Sequence, residues 1–125
     1  MSMNFDKALG MHTDALKLRA ERTQILATNI ANESTAGFQA RDIDFTATLK
    51  QTLADGEMGA DMASLADGGD GEALYRVPYH PTRDGNTVEL GVEQAAFSQN
   101  SSDFQTSLTF VNIKLKGLAK VIAGQ

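Results

Sequence analysis

Two interleaved heptad series near the C-terminus limit what this chain can fold into. Phe97, Phe104, Val111 and Leu118 are spaced by seven, and Leu108, Leu115 and Ile122 form a second series four residues on, broken only at Ser101. Apolar residues at a and d positions over more than three heptads predict a helix that packs lengthwise on other helices. The expected helix runs from about residue 90 to 123, with Gly124 placed to end it and Lys114, Lys116 and Lys120 near the negative end of its dipole. Phe110, Ile113 and Val121 fall off that seam when residues are laid out at about 100° each. Two apolar faces on one helix need partners on two sides.

The N-terminal segment predicts the first partner. From residue 4 to about 31 no Pro occurs, and Leu9, Leu16, Thr23 and Ile30 recur every seven, with Phe5, Ala20, Leu26 and Ala27 beside them. The seam is rich in Ala and Thr, which lets a neighbouring helix approach closely. The fold class expected is therefore mainly α, with two long terminal helices packed as a coiled-coil-like hairpin. On this reading residues 1–31 form the N-terminal helix, 32–90 a middle region and 91–125 the C-terminal helix.

The middle region changes character several times. Residues 32–44 read as a loop in which Gly37 is free to take a positive φ. Asp44 is positioned to cap a short helix over 45–54, where Phe45, Leu49 and Leu53 share a face. Residues 55–73 hold five Gly and six acidic residues with no basic one, so this segment carries −6 while the rest of the chain carries +1; a flexible acidic loop is expected. From Tyr75 to Leu90, Pro78 and Pro81 forbid helix and Asp84-Gly85-Asn86 signals a turn, which predicts an extended strap over 75–90.

Composition narrows the function classes. A net charge of −5 argues against a nucleic-acid backbone as partner. The absence of cysteine removes disulfide frameworks, thiolate metal sites and cysteine nucleophiles. No run approaches the roughly 20 apolar residues of a membrane span, and the charged first 30 residues predict no cleaved secretory signal. His12 and His80 are the only histidines and have no ligand spacing, so His12 is expected as an ordinary packed or surface ring. Asp67, Asp70 and Glu72 among glycines lack the ligand positions of a calcium loop. No serine sits in a nucleophile motif and no glycine-rich phosphate loop is present. Neither catalysis, a metal nor a cofactor is expected.

A two-helix hairpin standing alone is hard to stabilise. Ordering a residue costs about 1–2 kcal/mol of backbone entropy, and a fully buried Leu or Phe returns about 1.5–3 kcal/mol. Two helices bury one stripe each, and a lone hairpin would leave Phe110, Ile113 and Val121 wet. An assembly of many copies would cover them. The expected interface residues are Phe97, Phe104, Leu108, Phe110, Val111, Ile113, Leu115, Leu118, Val121 and Ile122.

Particular strings then carry a resemblance. Leu26-Ala27-Thr28-Asn29-Ile30-Ala31-Asn32, followed by Thr35-Ala36-Gly37-Phe38, resembles the N-terminal signature of the flagellar axial protein family, which comprises rod, hook and hook-associated subunits. Asn29 and Asn32 suit a helix end, since their amides can bond the last carbonyls and the loop, and Asn tolerates the left-handed conformation. Ala40-Arg41-Asp42-Ile43-Asp44-Phe45, Tyr75-Arg76-Val77-Pro78, Asp84-Gly85-Asn86-Thr87-Val88 and Phe97, Asn100, Phe104, Leu108 and Thr109 are similar, in order, to the proximal-rod branch of that family. The departure is Ala36, where the family commonly has Pro.

The resemblance implies a structural subunit of the bacterial flagellar basal body, delivered by the flagellar type III export apparatus without cleavage and assembled in the periplasm. It implies a helical tube that conducts later subunits and transmits torque. Its implied partners are copies of itself, a FliE-like adaptor, FlgC-like and other rod proteins, the MS ring and the export gate. Two alternatives stay open at this point: a FlgC-like sister rod subunit, and a soluble cytoplasmic coiled-coil adaptor or chaperone with a fixed oligomeric state.

Overall fold

The computed structural model describes residues 5–55 and 73–124. The elements in chain order are helix α1 (Phe5–Ala31), strand β1 (Arg41–Ile43), helix α2 (Phe45–Asp55), strand β2 (Ala73–Tyr75) and helix α3 (Leu90–Ile122). The acidic stretch expected as a flexible loop lies, from 56 to 72, outside the described residues.

The two long helices form the expected hairpin. They run antiparallel, since Asn29 bonds Glu93, Asn100 bonds Arg19 and Thr23, and His12 stacks on Phe110. Local chemistry sets their ends. Asp44 caps α2, its Oδ1 accepting from the Ala47 N–H at 3.2 Å. Gly124 takes φ +72° just beyond α3, and its N–H donates to the Val121 carbonyl. Glu89 precedes α3 without a side-chain cap bond and instead accepts from the N–H groups of Tyr79 and His80.

One element was not legible as a strand. Arg41–Ile43, expected as loop, pairs antiparallel with Ala73–Tyr75 in a two-stranded sheet, with Arg41 opposite Tyr75 and Asp42 opposite Leu74. A three-residue strand exists only through its distant partner, so it leaves no local period to read. Beyond β2 the strap is extended and turns at residues 83–85, as expected.

The buried apolar core is small: Leu18, Leu26, Ala40 and Ile43. Around the helix, Asn29 lies about 100° and Leu18 about 160° from the Leu9–Leu16–Thr23–Ile30 line, on the same side of it. That is the side from which Arg22 and Asn29 reach β1. The heptad line thus marks only the edge of α1 that meets α3, and β1 and α2 cover a second side.

The pairing face of α3 also differs from the apolar pattern. Phe97, Phe104, Val111 and Leu118 are half-buried, as one row of the seam. The second row is not Leu108, Leu115 and Ile122, which are 42%, 49% and 85% exposed. It is polar: Glu93 and Asn100, both at 0% exposure, with the half-buried Ser107 seven residues further on. Facing them, α1 offers Asn29, Thr23 and the Arg19 carbonyl, so polar side chains are the ones with partners there.

Candidate functional site

Three features stand out, two of them near the C-terminal end of α1 and the third toward the end of α3. The first is an ionic hub where α1, β1, the strap and α3 meet. Glu93 is fully buried on α3, and its carboxylate lies 2.9 Å from Arg76 Nε and accepts from Asn29 Nδ2 at 3.0 Å. Arg76 also donates to Asp42 at 2.7 Å, and Asp42 takes a bidentate fork from Arg22 at 2.9 and 3.0 Å. Two guanidinium groups thus balance two carboxylates. The Asp42 bond, together with that carboxylate's charge, raises the Arg22 pKa further above its already high value. Asn29 completes the hub by treating β1 as a strand neighbour would: its Nδ2 donates to the Arg41 carbonyl at 2.6 Å, and its Oδ1 accepts from the Arg41 N–H at 3.1 Å.

The second feature is a clasp at the end of α1. Asn86, only 3% exposed, points its amide into three carbonyls, those of Asn32, Glu33 and Thr35, at 2.8–3.0 Å. These are the kind of orphan acceptors every helix end leaves. The strap turn is fastened further by Gly37 N–H to the Asp84 carbonyl, Thr87 N–H to the Phe38 carbonyl, and Ala40 N–H to Thr87 Oγ1. Gly37 and Gly85 both take positive φ, +75° and +77°, and a Cβ on Gly85 would lie 3.7 Å from the Gly37 Cα.

The third feature is the far half of α3. Phe110, Ile113 and Val121 are 52%, 60% and 74% exposed, alongside the outward row of Leu115 and Ile122. Phe110 touches its own α1 through the His12 ring, with centroids 6.3 Å apart. An open groove of about 370 Å³ runs between the helices nearby, lined by Ala20, Thr23, Ser101, Phe104 and Gln105.

The residues of the signature string gather at the first two features. Leu26 and Asn29 are buried, Ile30 and Phe38 half-buried, and Ala31 exposed. Asn32 donates to the Thr28 carbonyl and accepts from Thr35 Oγ1. The left-handed asparagine allowed by the sequence does not occur: no described non-glycine residue has positive φ, and Gly37 makes the turn. Sequence reading missed Glu93, Asn100, Arg22 and Arg76 as interior residues. The signal available was a charge or amide at seven-residue spacing inside an otherwise apolar helix face. Among the described residues no group of three or more His, Cys, Asp or Glu could hold a metal ion.

Known proteins share this whole arrangement of sequence. The flagellar basal body rod protein FlgB of Aeromonas hydrophila is 41% identical over 100% of this chain and 99% of its own length. The chain belongs to the FlgB family. FlgB of Cereibacter sphaeroides (strain ATCC 17029) is 45% identical over 97% of this chain, and FlgB of Salmonella typhimurium is 42% identical over 95%. No family model matches the chain. Membership in the FlgB family makes this a structural protein of the flagellar basal body rod, and no helix among the described residues is long and apolar enough to cross a membrane.

Proposed function

We propose that this rod subunit assembles with copies of itself into a helical tube that conducts exported subunits and transmits torque. The observation that carries the proposal is the inversion of α3. Its fully buried intrachain residues, Glu93 and Asn100, are polar, while Phe110, Ile113, Leu115, Val121 and Ile122 stand outside at 49–85% exposure. Exposed apolar residues on two sides of one helix are what contacts with more than one neighbour use. A subunit of such a tube reaches the periplasm through the flagellar export apparatus without a cleaved leader. It meets a FliE-like adaptor, FlgC-like and other rod proteins, the MS ring and the export gate.

The test is in motile cells that carry this subunit. Leu115→Asp or Phe110→Ser should leave the subunit exported and block rod growth, because each spoils an outward contact, at the cost within the chain of no more than the His12–Phe110 stacking. Deleting residues 57–71 should leave motility intact, since shortening a connection alters loop-closure entropy little. Normal rods with both point variants, or a fixed soluble oligomer whose size is independent of concentration, would contradict the tube.

A further inference from the structure

We infer that Arg76 is a latch that couples seating of the strap to pairing of the two long helices. Of the described strap residues after β2, Arg76 is the one whose side chain reaches carboxylates on both β1 and α3, namely Asp42 and Glu93. The strap's other fastenings go, through the Arg76 N–H, Asn86 and Thr87, to the loop that follows α1, and the N–H groups of Tyr79 and His80 bond Glu89 just before α3, outside the seam. The strap therefore has two separable attachments, one that holds it to its own half of the molecule and one that holds α3.

The chemistry makes the second attachment decisive. Glu93 is at 0% exposure, and without the Arg76 guanidinium it would keep the Asn29 amide bond and only the more distant charge of Arg22. An ionised carboxylate stranded in that position opposes closure of the α1–α3 seam, whereas the seated guanidinium permits it. Asp42 would keep its fork from Arg22, so β1 stays charge-balanced when the latch is out. The seam and the clasp are thus set to respond differently to one substitution.

Amide hydrogen exchange on the full chain separates them. In Arg76→Met, amides of Leu26, Phe97 and Asn100 should exchange faster by about a hundredfold or more, the scale on which a broken buried ion pair acts. The amides of Gly37 and Thr87, which report the clasp, should stay within about threefold of the parent. The compensated pair Arg76→Met with Glu93→Gln should bring the seam amides back to within about tenfold, because no charge is left stranded. Arg76→Lys should fall between, since a point charge cannot fork to both carboxylates. Unchanged seam exchange in Arg76→Met would overturn the latch, as would a double variant no better than the single. Clasp and seam amides loosening together, or exchange already unprotected in the parent chain, would overturn it equally.

Discussion

The two halves of the helix pair are built from opposite chemistry. Where the C-terminal half of α1 meets the start of α3, the interior holds Glu93, Asn29 and Asn100 at 0–1% exposure beside Leu18 and Leu26, with arginines drawn in to match. Toward the end of α3, Phe110, Ile113, Leu115, Val121 and Ile122 face outward. Ordinary domains do the reverse. Polar networks specify geometry more than they add stability, since each bond replaces one to water. Apolar surface, by contrast, contributes only once something covers it. The first half is thus fitted to define a single subunit shape, and the second to meet another chain.

Core truncation should give the largest contrast between the halves. Leu18→Ala removes a fully buried side chain and should cost about 2–5 kcal/mol of subunit stability. Ile122→Ala, at 85% exposure, should change the stability of the isolated chain by less than about 0.5 kcal/mol. Chemical denaturation of both variants checks this, and equal losses would erase the distinction between the halves.

Next in size is the clasp. Asn86→Ala takes the amide from three carbonyls, of which that of Asn32 keeps the Thr35 N–H, and should lower stability by about 1–3 kcal/mol, with Tm as the readout. Val77→Ser, at an 84% exposed strap position, should leave Tm nearly unchanged and so shows that the clasp acts through its buried amide.

How much of this was legible follows from what periodicity can see. The bounds of both long helices, the Asp44 cap, the turn at Gly37 and the turn at residues 83–85 all rest on local signals, and they stand in the structure. The heptads located α3 and one row of the face it packs, Phe97, Phe104, Val111 and Leu118, but not the polar second row, because a hydrophobic count scores Glu93 and Asn100 as surface. What places them inside is a partner far along the chain: Arg76 and Asn29 for Glu93, Thr23 and the Arg19 carbonyl for Asn100. Strand β1 escaped for the same reason, since it needs residues 73–75 to exist. His12, expected as an ordinary ring, is half-buried against Phe110.

The smallest expected effect lies on α1 itself. Burial raises the Glu21 carboxyl above its usual 4.5, so folding disfavours its charged form. Stability linked to Glu21 is therefore full below about pH 4.5 and lost as pH rises through the raised folded value. Glu21→Gln should raise Tm slightly at about pH 7 and leave it unchanged at about pH 4. A variant that stabilises equally at both would show that the charge of Glu21 is not the cause.

The division between the halves is tested most directly by cryo-electron microscopy of an intact basal body containing this subunit. Glu93, Arg76 and Asp42 should keep their intrachain pairing there, while Phe110, Leu115, Val121 and Ile122 bury most of their surface against another chain. Finding Phe110 and its neighbours packed wholly within their own subunit, or still open to solvent in the finished rod, would contradict it.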